Sequence, residues 1–175
     1  MYALLATAVL GSLFFSPADR ARSSDEWLIS AGRNVQHRGE FGHTGLYTLE
    51  YRPAVATPAP TEAPRRLWSM DLQDLRPVFG LGASPDHTRY FYAGWRKELR
   101  WGQLRLSPSF SPVLFQPFGQ SDPHARLQFR TAIEVHALPL GPAELGGGYF
   151  HISNGTLNRR NADIDALFLS LRLSY

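Results

Sequence analysis

Asp163-Ile164-Asp165-Ala166-Leu167-Phe168-Leu169-Ser170-Leu171-Arg172-Leu173-Ser174-Tyr175 is the stretch from which the fold is read. Side chains of a β-strand point to alternate faces. Leu167, Leu169, Leu171, Leu173 and Tyr175 therefore share one face, and Asp165 lies with them. In the preceding stretch, Tyr149-Phe150-His151-Ile152-Ser153-Asn154-Gly155, one face carries Tyr149, His151 and Ser153, and the other carries Phe150 and Ile152. An antiparallel hairpin with its loop centred near Asn158 sets His151 directly opposite Asp165. Directly opposed residues have Cβ atoms roughly 4.5–5.5 Å apart. A serine, a histidine and a carboxylate then meet on one surface, the arrangement that activates a nucleophile.

Working back from there, the same alternation recurs and predicts eight strands. The first is about Trp27–Gln36, the second Gly42–Arg52, the third ends near Ala83, and the fourth is about Thr88–Trp101. In the fifth, Leu104, Leu106, Phe110 and Leu114 alternate with Gln103, Arg105, Ser107, Ser109 and Ser111. In the sixth, Leu127, Phe129, Ile133 and Val135 alternate with Arg126, Gln128, Arg130, Glu134 and His136. The seventh is Ala143–Ser153 and the eighth Asp163–Tyr175. Turn-formers separate them: Ser84-Pro85-Asp86, Gly102, Gly119 to Pro123, Pro139 to Pro142, and Asn154 to Asn161. Pro53 to Arg66, rich in Pro and Ala, reads as a connection.

An even, small number of strands, each roughly ten residues long, suits an all-β, eight-stranded antiparallel transmembrane barrel. Polar faces with charges of both signs suit a packed barrel interior, and an aromatic content of 13% suits interfacial girdles. The mean hydropathy of −0.24 is compatible with this, because such a barrel gives only every second residue to lipid. The competing fold is a soluble sandwich or lipocalin-like barrel with the apolar face inward, since alternation alone does not say which face is inside.

Composition narrows the chemistry. One domain is expected from 175 residues. With no cysteine there is no disulfide and no thiolate chemistry. A net charge of +3 comes with a single Lys and no basic block, which argues against nucleic acid. His37, His43, His87, His124 and His136 show no metal-ligand spacing, so no metal and no cofactor are expected. Ala3 to Phe15 is apolar but short for a spanning helix, and small residues follow it; residues 1–21 read as a secretory signal, leaving 22–175 as the barrel. With the N-terminus in the periplasm, odd strands run outward. His151-Ile152-Ser153 then falls at the extracellular end, facing lipid, and Pro53–Arg66 becomes a periplasmic connection of unusual length.

In chemical terms, Ser153 would be the nucleophile, His151 its base and Asp165 the group that orients the imidazole. Asn161 and the amides about Asn154 and Gly155 are the candidates for positioning the oxyanion. The plain alternative is an interfacial strand end with ordinary polar residues. Against it stands the phase: His and Asp on a lipid-facing wall are costly unless paired or functional.

His151-Ile152-Ser153-Asn154 resembles the His-x-Ser-Asn signature of the PagL-type, acyloxyacyl hydrolase-like lipid A deacylases. The resemblance extends to an acid twelve residues after the serine, here Asp165, and to the family's oxyanion asparagine, here Asn161. Leu127-Gln128-Phe129 is similar to the strand before the motif, and Tyr175 resembles the aromatic end common in outer-membrane barrels. The resemblance covers about the last 50 residues. It implies an outer-membrane serine esterase of a Gram-negative cell, exported through the periplasm, that hydrolyses the 3-O-linked acyl chain of lipid A in lipopolysaccharide. Four positions depart from the family: Asp165 where it has Glu, Gly148 where it often has Arg, and Gly155-Thr156 where it has Ala-Gly. The other function class is a non-catalytic barrel with a structural or adhesion role. Whether the barrel works alone or as a homodimer is left open.

Overall fold

The alternation of the last stretch is realised as β9, Ile164–Ser174, in a computed structural model that describes residues 24–35, 41–54, 75–85, 88–101, 103–116, 127–140, 142–154 and 164–175. The other strands are β1 Glu26–Val35, β2 Phe41–Arg52, β3 Arg76–Ala83, β4 Arg89–Arg96, β5 Leu99–Trp101, β6 Leu104–Gln116, β7 Leu127–Leu140 and β8 Ala143–Ser153. All pairings are antiparallel, in the order β4-β3-β2-β1-β9-β8-β7-β6-β5, and a β4–β6 pairing closes the sheet. The result is an eight-stranded barrel, because β4 and β5 are one stave. Their register on β6 does not change across the gap, from Arg96↔Ser109 to Leu99↔Leu106. The interruption falls at Lys97, whose amide donates to the Pro108 carbonyl at 3.0 Å, while Pro108 has no N–H to return the bond.

The stretch Pro139–Pro142, expected to break the chain, does so only at its end. Strand β7 runs on through Pro139 to Leu140, after a register shift between His136 and Leu138. The extra residue on β7 lets the hairpin close at Leu140↔Ala143. Only Pro53 and Ala54 of the Pro53–Arg66 connection are described, and the expected signal, residues 1–21, lies outside the described residues.

The choice that alternation could not make is settled by burial. Leu169 is 70% exposed and Leu81 57%, whereas Phe168 and Ser170, on either side of Leu169, are buried. The apolar face is outward. Trp27, Tyr51, Trp95 and Tyr175 lie on this outer wall toward the end where β1 begins and β9 finishes, and there Trp27 and Tyr51 pair across β1 and β2 with ring centroids 5.0 Å apart. The interior is charged: Glu26, Glu50, Glu98, Glu134, Arg52, Arg96, Arg130 and Arg172 are all buried. A buried charge is tolerated only when paired. Arg172 meets Glu26 and, at 2.7 Å, Glu98; Arg96 meets Glu26 at 3.0 Å; Arg52 meets Glu50 and Glu134. Arg130 sits between the rings of Tyr92 and Phe150, 4.7 and 4.9 Å from their centroids. This is the inverse of a lipocalin-like barrel, whose apolar face would be inside.

Candidate active site

The β8–β9 register places His151 opposite Asp165, Tyr149 opposite Leu167 and Ile152 opposite Ile164, as the hairpin centred near Asn158 predicts. Phe150 and Ile152 are buried inside the barrel, so Tyr149, His151 and Ser153 face outward in the phase of Leu145. All three lie near the end of the barrel where β1 finishes and β9 begins.

His151 Nδ1 lies 2.9 Å from Asp165 Oδ1. The shorter acid therefore reaches the imidazole, because the two Cα atoms are directly opposed and no extra methylene is needed to span them. With Nδ1–H donating to the carboxylate, the neutral ring carries its lone pair on Nε2, the atom able to accept a proton. Asp165 is only 3% exposed although it belongs to the outward phase of β9. Part of its cover is Tyr149, whose hydroxyl donates to the same Oδ1. Ser153 is half-buried and stands two residues beyond His151 on the same face, two rises of roughly 3.4 Å along the strand.

On the other side of His151, across the β7–β8 pairing, the opposed residue is Thr131. It is 6% exposed, and its hydroxyl has no hydrogen-bond partner among the described residues. The outer wall thus carries a polar row, Thr131–His151–Asp165, across three strands, flanked by Phe129 opposite Ser153. Of the oxyanion candidates, Asn154 is described and buried, while Gly155 and Asn161 lie outside the described residues.

Gly148, the position where the resembled family often has Arg, faces inward. A Cβ there would come within 2.3 Å of the Ile133 carbonyl oxygen and 2.8 Å of the Phe168 ring. An arginine would have to enter a space that Phe168 fills. Tyr149 and Thr131 are the two neighbours that the motif does not mark. The period-2 phase puts Tyr149 beside His151, but its bond to Asp165 and the approach of Thr131 depend on cross-strand register. His136 is buried on the interior face of β7 and meets Ser170 at 3.1 Å; His43 lies in β2, and His37, His87 and His124 are outside the described residues. No group of metal-ligating residues forms among the described residues.

No protein-family model matches the chain, and no curated protein does. Among solved structures, the chain is similar to a chain from the de novo design of transmembrane β-barrels, with TM-score 0.59, 8% identity and coverage of 90% of this chain and 99% of that one. It is similar to the outer membrane enzyme PagL, with TM-score 0.52, 14% identity and coverage of 86% and 99%. It is also similar to Neisserial surface protein A, with TM-score 0.51, 12% identity and coverage of 89% and 98%. The chain thus has the eight-stranded barrel fold of outer-membrane proteins, one of them an enzyme.

Proposed function

We propose that this protein is an outer-membrane serine esterase that hydrolyses the 3-O-linked acyl chain of lipid A in lipopolysaccharide. The observation that carries this reading is the His151–Asp165 pair, in contact at 2.9 Å in the outward phase of β8 and β9 that also holds the exposed Leu145, Leu167 and Leu169. A histidine–carboxylate couple in the lipid-facing phase of a barrel wall is disfavoured without a task. Placed at the barrel end where β9 begins, the couple meets the outer leaflet, where lipid A carries its ester bonds close to the headgroup. The apolar outer wall and the fold shared with outer-membrane barrels support that location, and the reading of residues 1–21 as a signal gives the route through the periplasm.

In this mechanism Ser153 Oγ attacks the acyl carbonyl carbon as its proton passes to His151 Nε2. Asp165 holds Nδ1–H and stabilises the imidazolium. The tetrahedral oxyanion is met by Asn161 and by the turn amides about Asn154 and Gly155. Collapse breaks the bond to the sugar oxygen, which takes the proton from His151, and the acyl chain remains on Ser153. Water, deprotonated by His151, then attacks the acyl-enzyme and releases the fatty acid. The reaction needs no metal and no cofactor.

A fluorophosphonate probe tests the activated serine. Purified, folded barrel is expected to carry the adduct on Ser153, found by peptide mass spectrometry, and His151→Ala to lose it. A folded native protein that stays unlabelled favours the rival reading, a barrel without catalysis, whose fold is shared with a surface protein.

A further inference from the structure

We infer that Tyr149 is a positioning residue of the same site, which holds the Asp165 carboxylate in register with His151. This rests on the esterase reading above. Two donors converge on one oxygen: His151 Nδ1 and the Tyr149 hydroxyl both meet Asp165 Oδ1. The last torsion of an aspartate is broad, so an isolated carboxylate rotates freely between its two oxygens. A second donor fixes which oxygen faces the imidazole. Tyr149 is placed for this by the strand itself, two residues before His151 on the same face, opposite Leu167 on β9 and Ile133 on β7. Leu167, the residue that Tyr149 opposes on β9, is 46% exposed on this outer wall. A carboxyl group in that setting is disfavoured unless it is partnered. Tyr149 keeps its phenolic proton throughout; it donates a hydrogen bond and transfers nothing.

The role goes with the short acid. Asp165 touches His151 only because the two are directly opposed, so a small rotation of the carboxylate breaks the contact. A misplacement of about 1 Å in such a constellation costs on the order of 100-fold in rate.

Detergent-solubilised barrel, assayed on lipid A, tests this with Tyr149→Phe, Asp165→Asn and the double variant, each first shown to be folded by heat-modifiable migration on a gel. Tyr149→Phe is expected to lower kcat roughly 10- to 100-fold with KM changed by less than about twofold. The double variant is expected to be no slower than Asp165→Asn alone, because Tyr149 acts only through that carboxylate. Full kcat in folded Tyr149→Phe overturns the inference, as do two effects that simply multiply. A second readout does not depend on turnover: in ¹⁵N-histidine-labelled barrel, the Nδ1–H resonance of His151 is expected to shift or vanish on Tyr149→Phe. An inactive wild type sinks the esterase reading, whereas an unmoved His151 resonance sinks the role of Tyr149.

Discussion

His151 and Asp165 stand directly opposite each other across β8 and β9, with Nδ1 and Oδ1 2.9 Å apart, and Tyr149 donates to the same carboxylate oxygen. That relationship makes the acid at position 165 sensitive to both charge and length. Asp165→Asn removes the acceptor that fixes the imidazole tautomer and is expected to lower kcat by about 10⁴-fold, the size of effect seen when such an acid is neutralised. Asp165→Glu is expected to lower it less, because the longer chain overshoots a contact already made. Deacylation kinetics on purified lipid A decide this; a glutamate variant faster than the native protein contradicts the geometry.

The outer wall gives a prediction about where the barrel lives. Leu169, midway along β9, is 70% exposed. In a bilayer, Leu169→Lys is expected to cost about 2–4 kcal/mol, as a cation at the midplane of a barrel wall does. For a wall bathed in water the same change would lie within about 0.5 kcal/mol. Urea titration of folding into lipid vesicles distinguishes the two.

Inside the wall the sign of the argument is reversed. Arg172 is fully buried and meets both Glu26 and Glu98. Arg172→Met leaves those carboxylates short of a partner and is expected to cost about 3–5 kcal/mol. Arg105, which is partly exposed and pairs with Glu98 at 3.2 Å and Glu144 at 2.9 Å, provides the contrast. Arg105→Met is expected to cost about 1 kcal/mol or less. Equal losses for the two variants would contradict the paired interior.

At Gly148 the interior has no room for a side chain. Gly148→Ala pushes a methyl into the Ile133 carbonyl and the Phe168 ring and is expected to cost about 1–3 kcal/mol, with Gly148→Arg worse. Midpoints of urea unfolding measure both. An arginine variant as stable as the native protein would mean that β8 does not turn this position inward.

Much of this is legible in the sequence, because period-2 alternation fixes which residues share a face, and the centre of the hairpin fixes which residues oppose. The pair His151 and Asp165 follows from those two facts alone. The direction of the faces does not: Leu167 and Arg172 alternate equally well in a soluble barrel and in a membrane one, and only burial of the arginine separates them. The break after Arg96 was hidden because its cause, Pro108, lies on the partner strand. Pro139 reads as a breaker in the sequence, yet a shift of register between His136 and Leu138 within β7 keeps it paired with Glu144. The places of Tyr149 and Thr131 in the site are not legible in the sequence for the same kind of reason: they follow from register between strands, not from alternation along one.

Mass spectrometry of lipid A from a host expressing either the native chain or Ser153→Ala tests the esterase itself. Loss of one hydroxyacyl chain with the native protein, and none with Ser153→Ala, is the expected result. Unchanged lipid A in the presence of native protein shown to be folded in the outer membrane would contradict it and leave a barrel without catalysis.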